Sequence, residues 1–231
     1  MPLLSIEYIT SDVRLATWKA TESTADLYAR YPMLASLRSA FSQLYKSESR
    51  HKEALTEHIL LFLLYNRPTV SDTKAELALH TATIENQQEA ILLNHHDDGS
   101  PYLSNGHYIS ISHTKELVTV IVSTHHAVAI DVEYQSDRVA RIAPKLLRPD
   151  ETASSILHLL LHWCAKETLY KLLSAQHLGL NQMRIQAITG NNTEGQIEIE
   201  NLVQQQVFTL CYKIKLPYIM AYAIVSPHAI K

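Results

Sequence analysis

Val128-Ala129-Ile130-Asp131-Val132-Glu133 alternates branched apolar residues with small or acidic ones. A period of two is that of a β-strand. Ile130 and Val132 then share one face, toward a core, and Asp131 and Glu133 share the other, about 6.5–7 Å apart. Two carboxylates on one face repel unless something positive sits between them. A hard divalent cation such as Mg²⁺, which takes a few carboxylates plus phosphate oxygens, answers that need. Ala129 keeps the same face small beside Asp131. A solvated polar strand face is the plainer alternative.

The surrounding sequence places this strand in a mixed α/β chain of the α+β kind. Residues 108–112 and 117–123 read as strands before it. Residues 138–146 read as a short helix, with its last turn disturbed by Pro144. Arg148-Pro149-Asp150-Glu151 is a turn, since proline fits poorly inside a helix. Residues 154–173, rich in Leu, Ala, Lys and Glu, form a long helix. Strands at 183–188, 196–200, 207–216 and 218–225 close the chain, with a polar hairpin turn over 189–195. Upstream, 3–9 and 13–18 alternate as strands. Residues 21–44 favour helix with a break at Pro32, and 53–64 form a helix with Leu55, Ile59, Phe62 and Leu63 on its apolar face. Residues 66–90 are polar and carry no clear period. Asp97-Asp98-Gly99-Ser100-Pro101 is turn chemistry. It divides the chain into 1–98 and 99–231. The regular βαβα order of a doubly wound sheet is missing.

The 231 residues suffice for a core without staples. Two cysteines, Cys164 and Cys211, exclude a disulfide scaffold and an all-cysteine zinc site. A net charge of −3 gives no basic field for non-specific nucleic-acid binding. With only five glycines, the chain holds neither a GxxxxGK[ST] nor a GxGxxG string. The start, MPLLSIEYIT, lacks a basic n-region and a long apolar h-region, and no run approaches a membrane span. The expectation is a cytoplasmic, membrane-free protein. The histidine doublets at 95–96 and 125–126 match no HExxH or Cys-His zinc spacing.

Three further strings carry chemistry. In His162-Trp163-Cys164-Ala165-Lys166-Glu167-Thr168-Leu169-Tyr170-Lys171, helical spacing stacks Trp163, Glu167 and Lys171 on one face and puts Lys166 and Tyr170 on an adjoining line. A carboxylate beside cations suits a metal-bridged phosphate; a surface Glu–Lys pair beside a core tryptophan is the alternative. Ser110-Ile111-Ser112-His113-Thr114 ends a strand with hydroxyls and an imidazole at a loop mouth. Neighbouring residues on a strand face opposite ways, so Ser112 and His113 make no nucleophilic dyad. Arg138, Arg141, Lys145 and Arg148 form a basic stripe, either a solvated face or a dock for an acidic partner.

The order of these strings is more specific than any one alone. A strand ending in Ser-His, then [VI]-[GA]-[IV]-D-x-E, then W-x-x-K-E-x-x-x-K on a helix resembles the 4′-phosphopantetheinyl transferase superfamily. The chain length is similar to the larger type, which resembles the surfactin-synthetase-activating enzyme. The resemblance covers roughly residues 97–173. It implies two similar halves related by a pseudo-twofold, with the active site between them. It implies transfer of the phosphopantetheine arm of coenzyme A to a serine of an acyl or peptidyl carrier protein, with release of 3′,5′-ADP. By that analogy Asp131, Glu133 and Glu167 hold Mg²⁺. Glu167, Lys171 and Asp131 are the catalytic set, with Glu167 as base. Ser112, His113, Lys166, Lys171, Gly99, Pro101 and Lys52 are the coenzyme A contacts, with Arg50 beside Lys52 as the other first-half cation. Arg138, Arg141 and Lys145 dock the carrier, and the protein acts as a monomer. The chain departs from the pattern at Ser100, where a lysine is common, at Ala129, where glycine is usual, and at Leu147, where an aromatic is common. An alternative of the same fold is a non-catalytic binder of coenzyme A or carrier protein. A Mg²⁺-dependent phosphohydrolase is a third.

Overall fold

The computed structural model describes residues 2–66 and 91–230. All strand pairings among the described residues are antiparallel. The polar stretch expected to lack a period, 66–90, falls outside the described residues from 67 onward.

One sheet has four strands in the order β1 (Leu3–Tyr8), β2 (Val13–Lys19), β6 (Leu117–Ser123), β5 (Tyr108–Thr114). The other has five, in the order β7 (Ala127–Tyr134), β11 (Tyr218–Val225), β10 (Gln206–Lys215), β9 (Glu194–Asn201), β8 (Met183–Gly190). A small hairpin, β3 (Leu93–His95) with β4 (Pro101–Leu103), stands apart. Helices α1 (Thr24–Arg30), α2 (Arg38–Leu44) and α3 (Glu48–Asn66) precede it. Helices α4 (Val139–Leu146) and α5 (Ile156–Leu172) lie between β7 and β8. The mixed α/β class expected from the sequence holds.

The four-stranded sheet takes strands from both sides of the division expected at 98/99. β2 pairs with β6 along its whole length, from Val13 opposite Ser123 to Lys19 opposite Leu117. The first sheet therefore draws on both sides of the turn at 97–101. The change of sheet comes later, between Ser123 and Ala127. Local turn chemistry is real at 97–101, where Asp98 Oδ1 accepts from the Ser100 N–H at 2.9 Å and its hydroxyl at 2.6 Å. Such a turn says nothing about which distant strand its flanks will join.

Period-two burial builds three cores. Val13 and Leu15 of β2, Leu117 and Ile121 of β6, Val128, Ile130 and Val132 of β7, and Met220 and Tyr222 of β11 fill the space between the sheets. The other face of β2 and β6, with Trp18, Val118 and Val120, packs on Leu55, Ile59 and Leu60 of α3. The other face of β7 and β11, with Ala127, Ala129, Ile219 and Ala221, packs on Cys164, Ala165 and Leu169 of α5. The face expected to carry Ile130 and Val132 inward does so. Asp131 and Glu133 continue the line of Ala127 and Ala129, so they point to the α5 side.

α3 begins five residues earlier than the apolar period predicts, at Glu48. The Ser47 hydroxyl accepts from the Arg50 N–H at 3.2 Å and caps it. α5 is capped likewise, the Ser155 hydroxyl accepting from the His158 N–H. α4 carries through Pro144 to Leu146.

Candidate active site

The two sheets meet edge to edge at β5 and β7, and no backbone ladder joins them. The Ser110 hydroxyl accepts from the Ile130 N–H at 3.1 Å, and the Ser112 hydroxyl accepts from the Val132 N–H at 3.2 Å. Residue 110 faces 130 and 112 faces 132, so these strands run in the same direction. Two serine side chains do the work that carbonyl groups do in a ladder. α5 lies over this seam from one sheet and α3 approaches from the other.

Asp131 sits at the centre of the seam, 5% exposed. Its Oδ1 accepts from the Ser112 hydroxyl at 2.9 Å and from Lys171 Nζ at 2.8 Å. Lys171 Nζ also donates to the Ile130 carbonyl at 3.0 Å and to the Ile111 carbonyl at 3.5 Å, touching both sheets at once. Asp131 Oδ2 is buried and has no hydrogen-bond partner. An unpartnered buried carboxylate oxygen is costly, and such an atom calls for a ligand.

Glu133, two residues along, accepts from the Trp163 indole N–H at 2.8 Å. Burial raises the Glu133 carboxyl above its ordinary range, and the Asp131 charge adds to the rise. Burial likewise raises Glu167, and again the Asp131 charge adds to it, ahead of Glu133. The three acids therefore share one neighbourhood. Among the described residues, however, no three His, Cys, Asp or Glu side chains already converge as metal ligands. Asp131 pairs with the ammonium of Lys171, and Glu133 with the indole of Trp163. The donor set, hard carboxylate oxygens with one atom unpartnered, fits Mg²⁺.

From the α3 side, Arg50 Nη1 donates to His113 Nε2 at 2.6 Å and to Glu53 Oε2 at 2.6 Å. A guanidinium only donates, so His113 Nε2 is unprotonated here and its proton sits on Nδ1, which lies 3.6 Å from Glu53 Oε2. Burial lowers the His113 pKa, against the pull of Glu53. Farther along α3, burial pushes the Glu57 carboxyl up to about 7. His113 joins the two sides, because the charges of Lys171 and Asp131 reach it as well.

The expected residues separate into three groups. Asp131, Glu133, Glu167, Lys171, Ser112 and His113 come together. Gly99 and Pro101 lie on the β3–β4 hairpin, whose His95 feels the charge of Arg50. Of the two first-half cations, Arg50 reaches the site, whereas Lys52 lies by Glu48 on the same helix. Lys166 does not join them: it is 0% exposed, and its ammonium is enclosed by Glu151 Oε2 at 2.6 Å and the carbonyls of Leu146 at 2.8 Å and Leu180 at 3.4 Å. All three protons are spent inside the protein, so it does not face the site as a phosphate contact. Helical spacing had set it in line with Tyr170, which is exposed.

On α4, Arg138, Arg141 and Lys145 are exposed. Arg148 is drawn back onto Asp150 and the Asn181 carbonyl. Sequence reasoning missed Trp163 as the partner of Glu133, Glu53 as the partner of Arg50, and Glu151 as the partner of Lys166. For Glu151 the one local signal was the Pro-Asp-Glu turn.

Residues 127–224 match the family model of the 4′-phosphopantetheinyl transferase superfamily. The matched stretch runs from β7 through α4 and α5 to β11, and it carries Asp131, Glu133, Glu167 and Lys171. Over that stretch the chain is similar to that superfamily, a class of transferases that move phosphopantetheine. No curated protein matches the chain. No helix among the described residues is long and apolar enough to cross a membrane.

Proposed function

We propose that this protein moves the 4′-phosphopantetheine arm of coenzyme A onto a serine of an acyl or peptidyl carrier protein, in the manner of the larger enzymes of the superfamily. The carrying observation is the seam itself. A buried aspartate with an unpartnered oxygen lies beside two further acids and a lysine inside the stretch that matches the family, with His113 joining them from β5.

Bound among Asp131, Glu133 and Glu167, Mg²⁺ would neutralise charge on the pyrophosphate and on the departing 3′,5′-ADP. The chain's own residues do the rest. Glu167, a carboxyl with raised pKa on α5, accepts the proton of the carrier serine. The serine oxygen attacks the phosphorus that bears the pantetheine arm, the bond from that phosphorus to the bridging oxygen breaks, and the nucleotide leaves with the bond's electrons. Arg50, with the neutral imidazole of His113 beside it, forms the cationic wall on the α3 side, where a phosphate would compete with Glu53 for the guanidinium. Trp163 holds Glu133 in place from α5. The exposed Arg138, Arg141 and Lys145 offer α4 to an acidic carrier surface. The protein is read as a cytoplasmic monomer.

The test is intact mass. Mixing the protein with coenzyme A, Mg²⁺ and apo carrier proteins should add one phosphopantetheine to a carrier. Tight binding of coenzyme A or carrier with no mass gain across several carriers would give the case to a non-catalytic binder. Phosphate release without any carrier would give it to a hydrolase. A sharper outcome concerns α4. Arg141→Glu is expected to raise KM for the carrier by about tenfold, since reversing a rim charge sets like against like, and to leave KM for coenzyme A nearly unchanged. Equal effects on both would move the stripe to the nucleotide site.

A further inference from the structure

The two seam serines make the same bond to β7 and differ in one respect. Ser110 accepts from the Ile130 N–H and stops there. Ser112 accepts from the Val132 N–H and also donates to Asp131 Oδ1. A hydroxyl carries one proton. The Val132 amide can only donate, so the Ser112 proton must lie on Asp131. Ser112 is 6% exposed, and its own carbonyl accepts from the Thr119 hydroxyl at 3.1 Å. In this arrangement it has no proton to offer a phosphate.

On the other side of the same oxygen stands Lys171. With Ser112 and Lys171 both on Oδ1, the carboxylate cannot rotate freely, and Oδ2 is the oxygen left over. We infer that Ser112 is a positioning residue for the acid centre, not a contact for coenzyme A. With Lys171, it fixes the Asp131 carboxylate so that Oδ2 faces a divalent cation. The inference rests on the metal assignment made above and goes beyond it, because it gives the serine of the Ser-His pair a different task from its neighbour. His113 faces Arg50 and the α3 side, while Ser112 faces Asp131.

Ser110 supplies the internal control. Ser110→Ala removes a seam bond of nearly the same length as Ser112→Ala does, without touching Asp131. The measurement is Mn²⁺ binding to the full-length protein by electron paramagnetic resonance of the free ion, with neither coenzyme A nor carrier present. Ser112→Ala is expected to weaken Mn²⁺ by about tenfold or more, the usual loss when a group orienting a metal ligand is removed. Ser110→Ala should bind within about twofold of the unaltered protein, and Ser112→Ala at saturating Mg²⁺ should keep its KM for coenzyme A within the same margin. If Ser112→Ala does not fold, Ser112→Cys fills the space with a weak donor and is expected to weaken Mn²⁺ in the same direction. Equal Mn²⁺ affinities in Ser112→Ala and the unaltered protein overturn the inference and leave the metal assignment standing. So do equal losses in the two serine variants, or a raised KM for coenzyme A with Mn²⁺ binding untouched. Failure of the unaltered protein to bind Mn²⁺ at all overturns the inference and the metal assignment together.

Discussion

Asp131→Asn is expected to lower phosphopantetheine transfer by about 10³-fold, equivalent to about 4 kcal/mol of lost transition-state stabilisation. The substitution keeps the size of the side chain and an oxygen for the Ser112 hydroxyl. It replaces the charged, unpartnered Oδ2 with an amide or a neutral carbonyl, which removes the anchor for a hard cation. The fold should tolerate it. Lys171 retains two carbonyl acceptors and is 29% exposed at its side chain, so it is not stranded as a buried ion. The acids beside it gain, because the Asp131 charge helps to raise both Glu133 and Glu167. Neutralising Asp131 must therefore bring those two carboxyls down. Whatever transfer remains should show an acid limb displaced to lower pH, since Glu167 would stay ionised further into acid. The checks are carrier mass against time, and the pH profile of the residual rate. Near-normal transfer by Asp131→Asn would end the metal assignment, and an unmoved acid limb would remove Glu167 from the role of base.

How far the sequence alone reaches is clear from particular residues. Strands with turns on both sides and an apolar face were legible to the residue: 117–123 and 218–225 match β6 and β11. The alternation at 128–133 correctly sent Ile130 and Val132 inward and left Asp131 and Glu133 on the α5 side. Periodicity is a local property, and it failed where non-local partners decide. The first turn of α3 is polar, so the apolar period began too late; the cap at Ser47 was the available signal. Strand membership across 97–101 depended on β2 finding β6 about a hundred residues away in sequence, which no turn announces. Lys166 was expected as a ligand contact by resemblance and set in line with Tyr170 by helical angle, and the angle does not say that a glutamate from the preceding turn closes over the ammonium. The hydroxyl geometry of Ser112 was invisible for the same reason: alternation gives the face, not the partner.

That glutamate carries the second large effect. Lys166 and Glu151 have side chains 0% and 1% exposed, in contact at 2.6 Å. Glu151 does more than neutralise. Its Oε2 also accepts from the Arg148 N–H at 2.9 Å and its Oε1 from the Ile185 N–H at 2.6 Å. One carboxylate thus ties the turn before α5, α5 itself and the start of β8. Glu151→Ala leaves an ammonium buried with two carbonyls and leaves two backbone amides without acceptors. Breaking a buried pair from one side costs about 3–5 kcal/mol, and a domain of this size loses roughly 2–4 °C per kcal/mol. The melting temperature, followed by circular dichroism, should fall by on the order of 10 °C. Replacing both partners by apolar residues, Glu151→Leu with Lys166→Met, should recover part of that loss, because no charge is then left buried alone. Lys166 immediately precedes Glu167, so the same pair fixes the roll of α5 that turns Trp163, Glu167 and Lys171 toward β7. Glu151→Ala held well below its melting temperature should therefore lose transfer more than carrier binding. A melting temperature unchanged by Glu151→Ala would mean that the pair does not hold α5, and the orientation of Glu167 would then need another cause.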